Sequence, residues 1–468
     1  MIIFFFLDIE IFSMQLMRFM KFCGNINGNQ KMMLLRIVRL KPLRIVPKRY
    51  FNNISVPFED DLTAFEDDNL ADFQYYHEAI EKQQQPQPPV QQQSLSEVAQ
   101  QHNPVVFVSK LNNPYINLAI EDYIYNVMPK PESPKDNTFN RLMFYINTPC
   151  VVIGKNQNPW QEVNLPVLNS LGIPMLRRRS GGGTVVHDLG NVNYSFMTTK
   201  GNFDRFKFIE YITNGVNKSN PLFKIQANER GDIVSEEIDG INYKISGSAY
   251  KLSKGKSYHH GTMLLNSKLD VLGKLLHRDE SKLGVVDAMN SISSVKSKVM
   301  NLEMDSEKFI QVVSNEFKNI YGSNEEQDKE AVEFNDMLGL SDFMGNVPVT
   351  VYTIDENTEL PSEIKQTSEE LQQWSWKFGH TPKFTHLLTN EKHNFTLLFE
   401  VEQGLLKGFK LDFKGSNDAK SKEISQSFQY LQLHIKNHPL QYTGSNVAGY
   451  VLDDEISDWI GESIDGTV

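Results

Sequence analysis

The chain has 468 residues, 40% of them hydrophobic, long enough to bury a core and to fold as two or three units. Its formal charge of −11 is uneven: residues 1–55 carry nine Lys and Arg against two Asp and Glu, leaving the rest at −18, which argues against a general nucleic-acid binder needing cations spread over its surface. Two cysteines, Cys23 and Cys150, support neither a disulfide framework nor a thiolate zinc site and fit a reducing compartment.

From Met1 to Phe22 the apolar clusters are broken by Asp8, Glu10 and Arg18, too often for a membrane span of roughly twenty apolar residues. From Met33, Arg36, Arg39, Lys41, Arg44, Lys48 and Arg49 are interleaved with apolar residues, and no acidic residue occurs between Ile11 and Phe58. This composition resembles a mitochondrial targeting segment over residues 1–55, although Pro42 would interrupt a helix there. Such a segment works at a terminus, so translation is expected to start at Met32 or Met33, processing near Arg49-Tyr50-Phe51, and residence in the mitochondrial matrix. Residues 56–103 hold Glu59-Asp60-Asp61, Glu66-Asp67-Asp68 and the run Gln83–Gln93 with three prolines; they read as a disordered linker.

Ordered signals begin at Pro104. Val105–Val108 reads as a buried strand, and Asn113-Pro114 opens a helix with Ile116, Ala119, Ile120, Tyr123, Ile124 and Val127 on one face. Leu142–Tyr145 and Val151–Gly154 read as strands joined by a turn at Asn147-Thr148-Pro149. Thr184–His187 with Val192–Phe196, and Asn242–Tyr250 with Tyr258–Leu265, read as strand pairs. Asp305 is the expected N-cap of a helix running through Phe309, Ile310, Val313, Phe317 and Ile320. Residues 322–345 read as an acidic inserted loop. The pattern resumes at Val349 and includes a strand at Thr396–Phe399 and a helix near Lys422–Lys436. The class is α+β, with a main domain over 104–355 and a small accessory domain over 365–468.

Two stretches carry chemistry. In Arg177-Arg178-Arg179-Ser180-Gly181-Gly182-Gly183-Thr184, three glycines let the backbone approach a ligand and aim N–H groups at an anion, and planar arginine forks can grip phosphate or carboxylate oxygens. A glycine turn with a solvated basic edge is the bland alternative, and neither nucleotide-loop spacing is met. In the second, Lys244-Ile245-Ser246-Gly247-Ser248, the lysine sits among small and apolar neighbours that could hold its ammonium against a ligand. His259-His260 follows; neighbouring strand residues point to opposite faces, so the pair cannot readily share a metal, and each reads as a packing or hydrogen-bonding residue.

Together these stretches resemble lipoate-protein ligases of the bacterial type and the related mitochondrial lipoyltransferases. Asn113-Pro114-x-x-Asn117-Leu118-Ala119-x-Glu121, Val151-Val152-Ile153-Gly154-x-x-Gln157-Asn158-Pro159-Trp160, Arg230-x-Asp232 and Trp376-x-Phe378-Gly379 extend the likeness across residues 104–465. The resemblance implies a biotin/lipoate ligase-type catalytic domain of mixed sheets and flanking helices. It further implies ATP-dependent formation of a lipoyl adenylate and transfer to a lysine of a lipoyl domain. Lys244 and Arg178 would then be the catalytic cations. Ser180, Gly181, Gly182, Gly183, His187, Asn191, Asp232, Gly247 and His260 would border the adenylate. Magnesium would arrive with ATP, with Asp232 as the one carboxylate to meet it. Expected acceptors are the lipoyl domains of 2-oxoacid dehydrogenases and the glycine-cleavage carrier, and the enzyme is expected to be a monomer.

The chain also departs from the bacterial pattern. Arg230-Gly231-Asp232 stands where the bacterial enzymes have Arg-Asn-Asp; Arg177–Val185 is closer to the animal transferase and His259–Thr262 to the bacterial ligase. Use of an already activated or protein-borne acyl group is therefore the alternative, and a non-catalytic lipoyl-domain binder a third reading. Cys150, at the head of an apolar strand, reads as an inert thiol rather than the nucleophile of the cysteine-dependent transferases on this fold.

Overall fold

The computed structural model describes residues 93–130, 139–322, 349–415 and 419–467. These all fall within one compact unit. The targeting segment, the linker up to residue 92 and nearly all of the acidic insertion at 322–345 lie outside the described residues. The linker was expected to reach residue 103, yet its last eleven residues, 93–103, are ordered around a short helix. Ser94 caps helix α1 (Leu95–Ala99): the Glu97 N–H donates to Ser94 Oγ at 3.2 Å and the Ser94 N–H to Glu97 Oε2 at 2.8 Å, a capping box. Leu95, Val98 and Ala99 are buried, and the guanidinium of buried Arg141 donates to the carbonyls of Ala99, Gln101 and Asn103. Three apolar contacts and one arginine thus order a segment whose average composition signals disorder.

The largest sheet uses β1 (Val105–Ser109), β2 (Arg141–Tyr145), β6 (Asn191–Thr199), β10 (Ser248–Ser253), β11 (Lys256–Leu264) and β13 (Thr350–Ile354). Their order is β10-β11-β6-β2-β1-β13, with β1 parallel to both β2 and β13 and the other pairs antiparallel. Parallel β1 and β2 need a crossover, supplied by helix α2 (Pro114–Val127), which Asn113 caps and Pro114 opens. Strand alternation then builds two cores. Val106, Phe144 and Phe196 face helices α3 (Lys207–Lys218) and α4 (Ser306–Tyr321), meeting Ile212, Phe309 and Phe317. Phe107, Met143 and Tyr145 face α2 and α5 (Ser362–Gln372), meeting Ile120, Ile124 and Ile364. As expected, Asp305 caps α4, accepting from the Lys308 N–H at 2.9 Å.

Three smaller sheets correct the expected pairings. β3 (Cys150–Ile153) does not form a hairpin with β2; it lies between β4 (Met175–Arg177) and β5 (Val185–His187). β5 accordingly pairs with β3 rather than β6. The linker between β2 and β3 crosses between sheets because Asn147 is held from outside, its amide bonding Asn117 and His187. Likewise the expected strand Asn242–Tyr250 is divided at Gly247: β9 (Lys244–Ser246) pairs with β8 (Ile233–Ser235) beside β7 (Ile225–Ala227), while β10 joins the main sheet. The fourth sheet orders β12 (Val285–Asp287), β14 (Phe384–Asn390), β15 (Phe395–Glu402), β16 (Leu405–Phe413) and β17 (Leu440–Gln441). Its core continues into β3, because Trp160 packs between Phe384 and Tyr442 at ring-centroid distances of 5.0 and 5.5 Å. The helix expected near 422–436 is two, Ala419–Ser427 and Gln429–Asn437. Among the described residues no helix is long and apolar enough to cross a membrane.

Candidate active site

The tri-glycine loop joins β4 to β5 and is shaped by Arg178. Arg178 is 5% exposed; its Nε donates to Ser180 Oγ (3.0 Å) and Gly181 O (3.1 Å), its Nη2 to Gly181 O (2.6 Å) and Gly183 O (2.7 Å), and its Nη1 to Val152 O (3.2 Å). Burial lowers this guanidinium only to about 10, so it stays cationic at neutral pH. Expected to meet the ligand directly, Arg178 here gives three of its five N–H groups to the loop and a fourth to Val152 of β3. Gly182 has φ +90°, and a Cβ there would sit 2.9 Å from Arg178 Nη2 and 3.2 Å from Ala249 Cβ. A Cβ on Gly154 would lie 2.0 Å from Gly182 O, so the two backbones touch.

Behind the loop runs a buried chain of hydrogen bonds. His260 reaches Ser180 Oγ through Nε2 and Glu121 Oε1 through Nδ1, both at 2.7 Å. Burial alone would raise the Glu121 carboxyl, but His260, Ser195 and Lys251 outweigh it and the net shift is downward. A charged Glu121 accepts a hydrogen bond from Nδ1–H; in the neutral ring Nε2 then accepts from the Ser180 hydroxyl, whose oxygen accepts from Arg178. His259, one residue earlier, points the other way, into the rings of Tyr250, Tyr194 and Phe208, and burial lowers it to about 3. The opposite-face reading of the two histidines holds.

Flanking arginines tie the loop to the C-terminal segment. Arg177 donates to Lys377 O at 2.9 Å and Thr381 Oγ1 at 2.8 Å while its Nη1 holds the carbonyls of Lys155 and Gln157. Trp376 Nε1 donates back to Arg177 O at 2.7 Å. Arg179 bridges Asp122 of α2 (2.9 Å) and Glu370 of α5 (2.6 Å).

Lys244 is about a quarter exposed, and its Nζ lies 3.1 Å from Asp232 Oδ2. Its own backbone is fixed at both groups: the N–H donates to Lys298 O (2.8 Å) and the C=O accepts from Met300 N–H (3.1 Å). Asp232 closes a turn in which Asn228 Oδ1 accepts its N–H at 2.9 Å. Gly247 donates to Thr262 Oγ1 at 3.1 Å, and a Cβ there would meet Val185 Cγ1 at 3.5 Å and Lys244 Cε at 3.6 Å, so Lys244 and the start of β5 converge. His187 accepts from Asn147 Nδ2 at 2.9 Å, and burial with the nearby Arg178 lowers it to about 3. Asn191 is buried at the start of β6 and donates to Asn193 Oδ1 at 3.0 Å; its own Oδ1 has no partner among the described residues. No described contact joins it to the glycine loop. Cys150 is fully buried and burial pushes its thiol far up. No cluster of three or more metal-binding side chains occurs among the described residues, which leaves Asp232 as a single carboxylate beside Lys244.

The lipoyl protein ligase A/B catalytic-domain family model matches residues 113–318. Over 349 residues, 74% of this chain and 75% of the relative, the sequence is 36% identical to "Putative lipoate-protein ligase A" of Saccharomyces cerevisiae (strain ATCC 204508 / S288c). The chain belongs to the lipoate-protein ligase and lipoyltransferase family. It is 33% identical over 309 residues to the mitochondrial lipoyl amidotransferase LIPT1 of Homo sapiens, covering 64% of this chain and 74% of that one. Among solved structures, P. falciparum LipL1 in complex with lipoate aligns over 77% of this chain and 98% of its own, at 24% identity and a TM-score of 0.45. As a member of this family the chain is an enzyme, a lipoate-protein ligase or lipoyltransferase.

Several residues of the site escaped the sequence reading. Ser294 Oγ accepts from the Thr184 N–H at 2.8 Å and from Gln157 Nε2 at 3.0 Å, while Glu162 holds the Ser294 N–H at 3.2 Å. The strap Ser291–Met300 therefore lies against both the glycine loop and Lys244. Its signal, small polar residues alternating with Lys296 and Lys298, resembles any loop. Glu121 was quoted only within a motif, and its signal is a carboxylate on the otherwise apolar face of α2.

Proposed function

We propose that the enzyme activates lipoate with ATP and passes the lipoyl group to a lysine of a lipoyl domain. The observation that carries this reading is Lys244, an ammonium fixed by its backbone on both sides and paired with a single carboxylate, beside a loop of bare backbone. Two of its three N–H groups are not engaged by Asp232 and can meet oxygens on which negative charge grows. In the proposed reaction the lipoate carboxylate attacks the α-phosphorus and pyrophosphate leaves; the acceptor amine then attacks the mixed anhydride and AMP leaves. Lys244 stabilises the charge in both steps. Ser180, Gly181, Gly182 and Gly183 hold the adenylate, and Arg178 and His260 keep that loop in shape for it. Asp232 is the side chain suited to a magnesium ion brought by ATP, which would neutralise phosphate charge. A nucleophilic thiol has no place in this scheme, in keeping with the buried Cys150.

A second reading, transfer from a donor activated elsewhere, is favoured by 33% identity to a lipoyl amidotransferase. Acceptors in either case are the lipoyl domains of 2-oxoacid dehydrogenases and the glycine-cleavage carrier, met by a monomer in the mitochondrial matrix. The basic, acid-free stretch before residue 56 and the mitochondrial relative support that location. Residues 104–355 would form the catalytic part and 365–468 the accessory part. The deciding experiment is mass spectrometry of a lipoyl domain incubated with enzyme, ATP, magnesium and lipoate, in parallel with preformed lipoyl adenylate. Gain of lipoyl mass in both arms, lost in Lys244→Ala, is the expected result; gain only from the adenylate selects the second reading.

A further inference from the structure

Arg205 stands in the loop between β6 and α3 and lies across the turn that carries Asp232. Its Nη2 donates to Arg230 O, and its guanidinium sits 5.7 Å from the centroid of the Tyr250 ring. Gly231 permits this approach: its φ is +74°, and a Cβ there would sit 2.9 Å from Arg205 Nε and 3.1 Å from Tyr250 Oη. A side chain at 231, asparagine in the bacterial pattern, and Arg205 therefore compete for one space. The turn does not need the arginine to hold its shape. Asn228 Oδ1 accepts from the Arg230 and Asp232 N–H groups at 3.0 and 2.9 Å, the Gly231 N–H donates to Asn228 O at 2.9 Å, and the Asn228 N–H donates to Asp232 O at 3.0 Å. Arg205 is exposed, gives one of its five N–H groups to protein, and pairs with no carboxylate among the described residues. Its neighbour Asp204 turns Oδ1 to the N–H groups of Phe206 and Lys207 instead.

A row of contacts ties this arginine to the site. Val185 and Lys244 converge at Gly247, Lys244 Nζ meets Asp232 at 3.1 Å, and Gly231, next to Asp232, meets Arg205. Ser248, on the edge strand β10, stands between the glycine loop and the far end of that row: its O lies 3.8 Å from where a Gly182 Cβ would be, and its hydroxyl donates to Gly231 O at 3.0 Å. Nucleophile and leaving group stand roughly in line across a phosphorus under attack. With the lipoate carboxylate arriving from the glycine loop and Lys244 at the α-phosphate, the β- and γ-phosphates point past Asp232 toward Arg205. Lys244 and Asp232 cancel in charge, and a magnesium-bound triphosphate is still anionic, so this end of the row calls for a further cation. A guanidinium fork with unengaged N–H groups matches two phosphate oxygens. We infer that Arg205 binds the β- and γ-phosphates of ATP. It takes up the charge that grows on pyrophosphate as the bond from the α-phosphorus to the bridging oxygen breaks and that oxygen keeps the electron pair. The inference rests on the ATP-activating reading above and adds the residue that receives the leaving group.

The test compares Arg205→Ala and Arg205→Lys with the native full chain, with melting as a check on folding. Lipoate-dependent exchange of labelled pyrophosphate into ATP gives the KM for pyrophosphate, and calorimetry gives the affinity for magnesium pyrophosphate without turnover. Lipoyl-domain acylation from preformed lipoyl adenylate reports the second step, in which pyrophosphate takes no part. The expected result is a pyrophosphate KM raised about twentyfold by alanine and about fivefold by lysine, the scale of losing charge-assisted hydrogen bonds, with acylation from the adenylate within about twofold of native. An unchanged KM and affinity overturn the inference. A parallel fall in both half-reactions also overturns it and makes Arg205 a brace for the turn carrying Asp232. Absence of exchange in the native chain sinks ATP activation by itself, and calorimetry then decides: magnesium pyrophosphate bound about twentyfold more weakly by Arg205→Ala upholds the phosphate site, whereas equal binding, or none by the native chain, overturns it.

Discussion

Replacing His260 by alanine isolates the buried chain behind the glycine loop. Glu121 is 3% exposed and His260 is its 2.7 Å partner, so His260→Ala leaves a carboxylate in the interior with only Tyr145 Oη at 3.4 Å and Ser195 nearby. Removing the hydrogen-bond partner of a buried carboxylate costs about 3 kcal/mol, mostly because the charge left behind stays desolvated. Glu121→Gln in the His260→Ala background removes that charge and should recover about 2 kcal/mol, a coupling visible in a double-mutant cycle. The sign with pH is definite. In the native chain the Glu121 carboxyl lies below the ordinary glutamate value of about 4.5, so its contribution is present above about pH 4.5 and is lost as pH falls through the folded value. In His260→Ala burial acts with less opposition and raises it. The variant's deficit should therefore grow from pH 5 to pH 7.5. Urea unfolding followed by tryptophan fluorescence at those two pH values measures both effects. A variant within about 0.5 kcal/mol of native at pH 7.5, or a cycle with no coupling, would refute the chain as a stabilising unit.

Other outcomes follow from the same geometry. Lys244→Ala should lower adenylation about 10²- to 10³-fold, the scale of removing one preorganised charge-stabilising donor, while leaving melting unchanged; near-native pyrophosphate exchange would exclude Lys244 from the chemistry. In Gly182→Ala, φ +90° and the 2.9 Å approach to Arg178 Nη2 should together cost about 2–4 kcal/mol and detach the loop, read as lost acylation together with a lower melting temperature. Cys150 should resist iodoacetamide until the chain unfolds, and Cys150→Ala should keep full activity; peptide mapping that finds it alkylated in the native state would contradict its burial. His187, His259 and His386, the last buried on β14, are each lowered to about 3 by burial, so the unfolded chain takes up more protons between pH 6.5 and 3. Melting should accordingly drop as pH falls from 6.5 to 5, where few carboxylates titrate, and a flat profile there would mean that these rings are hydrated.

Much of the site could be read along the chain because its signals are local. The tri-glycine loop, Lys244 amid small residues, the Asp305 cap and the face of α2 each depend on a few consecutive positions, and periodicity or backbone freedom reports them directly. Strand existence was legible for the same reason. Strand partnership was not: β2 and β3, or β5 and β6, are adjacent in sequence with turn-like links, yet Asn147 and the loop pinned by Arg178 send them to different sheets. Alternating apolar residues fix which face is buried and say nothing about whose edge is met.

The role of each charge also depended on the folded chain. From sequence, Arg177, Arg178 and Arg179 are three equivalent cations for a phosphate; folded, one clasps the C-terminal segment, one pins the glycine loop and one bridges α2 to α5. The sequence by itself determined the α+β class, through local patterning, and the family, through the likeness of several short motifs to known relatives. Only the tertiary structure decided that Glu121, 59 residues before Ser180, stands behind it through His260, and that Ser294 closes over Thr184. Hydrogen bonds between residues so far apart in sequence are set by packing, and no local pattern encodes them.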